Sequence, residues 1–266
     1  MSRITMLVCG LLVVLAGCAA LPDDAPAADP YTGPNESLDT VALLTDHTER
    51  VEAADSSTFA ATHEYTVVVG PVDRTRTTTV RFERDDRTDE SWFEARYTDS
   101  GRDAATTQQA YRTADRTVGR YDTSRETVYV GGVEAERYLP ARFETVHAVS
   151  EQPEFSPVAA TDWTFDGVVT RDGESLTRYT ASGTDRLDRS TANVTDGRDH
   201  LHAYEATLLV TGEGVIRELL YTYRYTPWDA TDATMTETVR LRTTGLNGTS
   251  VDEPSWLGEA NERATA

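Results

Sequence analysis

From residue 58 the hydrophobic pattern has a period of two. In TFAATHEYTVVVG, Phe59, Ala61, His63, Tyr65, Val67 and Val69 share one face, and Thr62, Glu64 and Thr66 the other. That alternation marks a strand buried on one side. His63 falls between Ala61 and Tyr65, where a hydrogen-bonded core histidine is expected. Alternating or β-branched runs recur at RTTTVRFER, SWFEARYTD, QAYRTA, ETVYVGG, WTFDGVVT, SLTRYTAS, YEATLLVT, GVIRELLYTYRYT and ATMTETVRLRTT. Asp172-Gly173 and Gly212-Glu213-Gly214 separate runs as hairpin turns, because glycine accepts positive φ at no steric cost.

A helical period interrupts this series. In ESLDTVALLTDHTERVEAADS, Leu38, Val41, Ala42, Leu44, Thr48 and Val51 fall within one broad face, opposite Asp39, Asp46 and Arg50, with Asn35 or Ser37 as cap. LPARFETVHAVSE predicts a short helix entered at Pro140, with Leu139, Phe143, Val146 and Val149 inward. GTDRLDRSTANVTDGRD is polar and reads as a loop. The expected order is one helix, about six strands, a short helix and about five strands, a mainly β (α+β) chain. Helices do not alternate regularly with strands, which argues against a doubly wound parallel sheet.

The first 35 residues have another pattern. Residues 4–15, ITMLVCGLLVVL, are almost wholly apolar after a short start carrying Arg3, and Leu15-Ala16-Gly17-Cys18 follows. A charged start, an apolar run and small residues at its end make a secretory signal peptide over residues 1–17. With one arginine before the run, export by a general route is expected. The Leu-Ala-Gly-Cys stretch resembles the lipobox of prokaryotic lipoproteins, which implies cleavage between Gly17 and Cys18 and a lipid on the Cys18 sulfur. The alternative is an uncleaved anchor, since residues 4–21 are close to the roughly 20 needed to span a bilayer. Either puts the chain at the cell membrane, facing outside. Residues 19–35 hold four prolines and five alanines, a stiff spacer reaching roughly 50 Å at about 3.1 Å per residue.

Charge narrows the partners. The 266 residues carry 45 acids against 25 basic groups, for a net charge of minus 20, and every basic group is arginine. Such a surface repels phosphate backbones, which argues against nucleic acid. An acidic, lysine-free, Thr- and Asp-rich chain resembles proteins of extremely halophilic archaea, where molar salt shortens the Debye length to about 3 Å. Both cysteines, Cys9 and Cys18, lie in the N-terminal segment, so no disulfide is expected in the folded part.

The element order, from an N-terminal helix into long antiparallel strands behind a lipobox, resembles the lipoprotein-carrier superfamily of the LolA and LppX type. The ending VDEPSWLGEA, with Pro254, Trp256 and Ala260, is similar to the tail of haloarchaeal surface lipoproteins. The resemblance implies a strongly curved, half-open antiparallel sheet of about ten or eleven strands with helices on its concave side, and a hydrophobic ligand held there. It transfers no functional residue. The domain plan is a signal peptide over residues 1–17, lipidated Cys18 and spacer over 18–35, a β domain over 36–260, and a disordered tail over 261–266.

Enzyme motifs are missing: no Gly-x-Ser-x-Gly, no His-Glu-x-x-His, no phosphate loop, and no lysine for lysine-dependent serine chemistry. His200 and His202 would share a strand face with Asp196, Asp199 or Glu205 near, but two histidines without a clear third ligand read as surface residues. Tyr221, Tyr223 and Tyr225 alternate and line one face, either a ligand wall or an amphipathic core edge. Asn35, Asn193 and Asn247 begin N-glycosylation sequons. The expectation is a non-enzymatic lipoprotein without cofactor that binds a hydrophobic small molecule or lipid. The alternatives are a structural or protein-binding envelope component, and a metal-dependent hydrolase.

Overall fold

The computed structural model describes residues 30–33, 37–131, 156–192 and 198–264. The predicted signal peptide, Gly17, Cys18, most of the spacer and the helix predicted around residues 139–149 lie outside them.

The described strands form one antiparallel sheet of eleven. Six follow the first helix α1 (Thr40–Glu52): β1 (Ser56–Val69), β2 (Val72–Asp85), β3 (Glu90–Asp99), β4 (Arg102–Arg112), β5 (Thr117–Asp122) and β6 (Thr127–Gly131). The short helix α2 (Ser156–Ala160) leads into β7 (Thr164–Arg171) and β8 (Glu174–Ser182). A 3₁₀ turn (Thr184–Arg186) and α3 (Arg189–Ala192) precede β9 (His200–Thr211), β10 (Ile216–Thr226) and β11 (Ala233–Thr244), and α4 (Leu257–Ala264) ends the chain. The spatial order is β6-β5-β4-β3-β2-β1-β11-β10-β9-β8-β7. Two meanders therefore meet where the first strand pairs with the last, and the sheet stays open at β6 and β7.

Alternation sends one set of side chains to an inner face. Along the paired strands, Tyr179, Leu208, Leu219, Leu241, Ala61, Val80 and Ala95 lie level with one another. Phe59, Phe82, Phe93 and Ala110 form a parallel row. Leu43 of α1, Val158 and Ala160 of α2, and Ala192 of α3 join the same core. Removing such apolar surface from water, at about 25 cal/mol per Å², is what holds the helices to the sheet.

The outer face carries its own smaller core. Trp92, Tyr111 and Val118 are level across β3 to β5. With Tyr129 of β6 they receive Val251, Trp256, Leu257 and Ala260. Trp256 lies 6.1 Å from the ring of Trp92 and 6.2 Å from that of Tyr129. So the VDEPSWLGEA ending is a strap and helix on the face opposite α1. Residues 261–264, expected in a disordered tail, continue α4, with Arg116 donating to the Asn261 side chain at 2.8 Å.

Other expectations are corrected too. The buried line of α1 is Leu43, His47 and Val51, while Val41 is 75% exposed. At 100° per residue Val41 lies almost opposite Leu43. Asp39, not Asn35 or Ser37, is the cap, its carboxylate accepting the Ala42 N–H at 3.0 Å. The expected polar loop after β8 holds two short helical turns and buries Leu187 and Ala192, because Asp188 accepts from the Ser190 and Thr191 hydroxyls and folds it inward. The spacer's end is docked: Tyr31 is 4% exposed, its hydroxyl donates to Asp46, and Thr32 pairs with the Tyr179 hydroxyl at 2.6 Å.

Both hairpin turns form as read, with Asp172, Gly173 and Gly214 at positive φ. A Cβ at Gly173 would meet nothing within 4 Å, whereas one at Gly214 would sit 2.1 Å from the Tyr31 hydroxyl. Gly173→Ala is expected to cost about 1 kcal/mol of backbone strain. Gly214→Ala adds expulsion of Tyr31 and should cost about 3 kcal/mol or more. Denaturant midpoints of the two variants check the ranking.

His47 takes an apolar position because its Nδ1 accepts the Ile216 N–H at 3.2 Å. Burial, with the Arg217 charge adding to it, pushes its pKa from 6.5 down to about 4. The folded value lies below the unfolded one, so the full contribution is present above about pH 6.5 and is lost as pH falls toward 4. The loss over that window should be roughly 3 kcal/mol. A pH series of urea midpoints tests this, with His47→Leu flattening the slope; equal slopes in both proteins would refute it.

Candidate functional site

The tyrosine run of β10 organises the inner face beside the seam between the meanders. Tyr221, Tyr223 and Tyr225 point inward and stack, at centroid distances of 6.2 Å and 5.7 Å. Their neighbours on β11 are Val239, Glu237 and Met235, and on β9 Ala206, Tyr204 and Leu201. All three tyrosines are buried, so the core-edge alternative accounts for their positions. Two of them also carry a polar function, because the hydroxyls of Tyr223 and Tyr225 converge on one carboxylate.

That carboxylate is Glu237, the lone charge of β11's inner row between Met235 and Val239. Tyr225 donates to its Oε1 at 3.0 Å, Tyr223 is also hydrogen-bonded to it, and His63 meets Oε2 at 3.0 Å. Burial alone would raise the Glu237 carboxyl, but the bonds from His63, Tyr223 and Tyr225 outweigh it and hold it below its ordinary value. Burial, with the same carboxylate adding to it, pushes the Tyr223 and Tyr225 hydroxyls well above theirs. Tyr65, level with Glu237 on β1, donates to the Met235 sulfur at 2.8 Å and is linked to Tyr225. The result is an aromatic floor with one anchored negative charge.

His63 is therefore hydrogen-bonded as expected, but it is not a core residue: its side chain is 46% exposed against 14% for Glu237. The inner face extends beyond it to Thr78 and Tyr97, and one row over to Tyr121 and Val128. Tyr97, Tyr121 and Val128 are 36%, 40% and 40% exposed. At the other side Tyr204 is closed over by Thr161, whose hydroxyl lies 2.6 Å from its own. The inner face is thus covered at β8 to β10 and partly open at β3 to β6.

His200 and His202 are brought together, with rings 4.6 Å apart, on open surface. A register shift between Arg224 and Tyr225 turns Leu201 inward and leaves both histidines out. His202 bonds Thr226 at 2.8 Å, and Asp199 accepts the Trp228 N–H. No group of three or more metal-ligating side chains occurs among the described residues. Asn247 sits in a tight turn at φ 60°, its side-chain oxygen accepting the Asp55 N–H, while Thr249 of its sequon is buried against Thr58. Asn35, Asn193, Gly17 and Cys18 lie outside the described residues. No described helix is long and apolar enough to cross a membrane.

The chain belongs to a family of unknown function, DUF7537, whose model matches residues 3–260. Curated proteins yield no match. Among solved structures it is similar to LprF from Mycobacterium bovis, with 11% identity and a TM-score of 0.41, over 81% of this chain and 96% of that one. Lipoprotein LppX from Mycobacterium tuberculosis is similar at 11% identity and a TM-score of 0.37, over 80% and 98%. A putative outer membrane lipoprotein-sorting protein domain from Vibrio parahaemolyticus follows at 8% and 0.24, over 84% and 98%. Each likeness is weak, and the functional reading rests on this chain's own inner face.

Glu237→Gln removes the charge but keeps the shape. Glutamine's single oxygen serves one phenol well, and its NH₂ faces groups that previously donated. The expected loss is about 2 kcal/mol, from one buried donor left poorly paired. Thermal or urea unfolding measures it, and Tyr225→Phe in the same background should recover part of it.

Proposed function

We propose that the chain is a membrane-anchored extracytoplasmic lipoprotein that holds a hydrophobic molecule against the inner face of its sheet. The observation that carries this is the uneven cover of that face. Tyr121 and Val128 are exposed on the face that elsewhere packs α1 to α3. A large apolar side chain left in water on an otherwise packed face calls for a partner. Aromatic rings suit an acyl or isoprenoid chain because they give broad apolar contact with few torsions to immobilise. The LppX and lipoprotein-sorting likenesses are in keeping with the reading, as is the lipobox at Cys18.

A second reading, an envelope component that binds protein without carrying a ligand, is favoured by the complete burial of Tyr179, Leu208 and Leu219. That part of the face has no room to share. The two readings differ at the open side alone.

Native mass spectrometry of the protein purified without detergent discriminates between them. A carrier is expected to show a bound hydrophobic mass or take up a fluorescent fatty acid, and Tyr121→Asp with Val128→Asp should abolish uptake with little loss of fold. A ligand-free mass and no uptake would end the carrier reading. Anchoring is checked separately: Cys18→Ser should release the chain from membranes or leave its signal uncut, and membrane retention of a processed form would count against a lipid on Cys18.

A further inference from the structure

The outer face of β7 to β11 holds an arginine cleft with no part in the inner-face reading. Glu218 lies at its floor with a side chain only 7% exposed. Arg171 donates to its Oε2 at 2.7 Å, Arg242 to the same oxygen at 2.7 Å, and Arg240 stands 3.9 Å from Oε1. Burial would raise the Glu218 carboxyl, but the bonds from Arg171 and Arg242 outweigh it and keep it ionised. Beside it Arg217 forks onto Glu174 at 2.8 and 3.0 Å. Leu176 and Leu209 line the base, and the cleft measures about 370 Å³.

The charges do not cancel. Arg217 and Glu174 neutralise each other, while three guanidiniums share the single carboxylate of Glu218, a surplus of two positive charges. Asp172, exposed in the β7–β8 turn, reduces the surplus to one, and that one is Arg240, which stands beside Glu218 outside the residues that line the cleft. This occurs in a chain whose net charge is minus 20. The three arginine side chains at Glu218 are 43 to 46% exposed. A guanidinium has five N–H donors, and Glu218 takes one from Arg171 and one from Arg242. The remaining donors stand beside one another, held by a buried acid that cannot move away.

We propose that this cleft binds a phosphate group, with Arg171 and Arg242 of its lining and Arg240 beside it as ligands, and Glu218 as the residue that positions them. Guanidinium forks match oxyanions, and phosphate offers more peripheral oxygens than the carboxylate already seated there. Polymeric phosphate is kept away by the overall negative charge, so the ligand is a single group, either a small free phosphate or the headgroup of a phospholipid.

The test uses the full chain at one fixed ionic strength in chloride at which it is folded. Titration with inorganic phosphate, read by calorimetry and by the Nε–H resonances of the arginines, should saturate below about 10 mM. Arg171→Gln or Arg242→Gln should weaken binding at least tenfold. Arg240→Gln, which breaks no close ion pair, should weaken it severalfold without touching stability. Glu218→Gln, which keeps an oxygen and the shape that gather the arginines but removes the charge that competes with phosphate for them, should tighten it, a sign that a merely structural ion cluster would not produce. A second arm compares flotation with vesicles of phosphatidylglycerol and of phosphate-free digalactosyldiacylglycerol. Preference for the former that is lost in the arginine variants assigns the site to a headgroup, and preference absent while inorganic phosphate still binds assigns it to a free ligand. No saturable response in either arm, or binding unchanged by Arg240→Gln and Glu218→Gln, overturns the proposal.

Discussion

Everything in this fold depends on the pairing of β1 with β11. Twelve residue pairs, from Thr58 with Thr244 to Val69 with Ala233, join a six-stranded and a five-stranded meander into one surface. Within each meander every strand pairs with its sequence neighbour, through a short turn except between β8 and β9, where the 3₁₀ turn and α3 intervene. The seam closes a loop of more than 160 residues, an entropic cost that grows only as the logarithm of length and is met by a full row of backbone bonds. The C-terminal strap secures the same line from outside: Thr249 bonds Ser56 and Thr58, and Arg87 donates to the Thr249 carbonyl.

A single period-two rule, applied on both sides of that seam, yields two faces with different tasks. Each holds a largely buried glutamate, Glu237 inside and Glu218 outside, and the surroundings of the two differ in kind. Glu237 is solvated by phenols and an exposed histidine, which make an aromatic wall polar at one point. Glu218 is solvated by guanidiniums, which overcompensate it. An ionised carboxylate out of water needs donors in either case, and the type of donor decides the sign of the local field.

How much of this was legible in the sequence follows from which signals are local. The period of two located the strands, and Asp172-Gly173 and Gly214 located turns, since both depend on neighbours a few residues away. Strand order was not legible, because nothing in residues 58–69 names residues 233–244 as a partner. The α1 face was misjudged at Val41 for a similar reason: apolar character marked it, but its neighbours were decided by His47 reaching Ile216. Glu237 is the lone charge in its row of ATMTETVRLRTT, between Met235 and Val239. Its meaning was not legible, since a charge in an apolar row declares a partner without saying which residue supplies it. The outer position of the VDEPSWLGEA ending was hidden too, because Trp256 needs Trp92 and Tyr129 from distant strands to have a place.

The docked end of the spacer adds a constraint on any anchored form. Tyr31 is wedged against Gly214 in the β9–β10 turn and bonded to Asp46 of α1, so pull from the N-terminal side is delivered to β10 and α1. The exposed strip at Tyr121 and Val128 lies on β5 and β6, six and seven strands away in the sheet order. Adjacent strands are about 4.8 Å apart, so a path along the sheet between the two exceeds 25 Å. Under the carrier reading, tether and opening do not compete for the same place. The glycine that makes room for Tyr31 then has a functional consequence: it holds the attachment point on the covered side of the inner face and leaves the uncovered side clear.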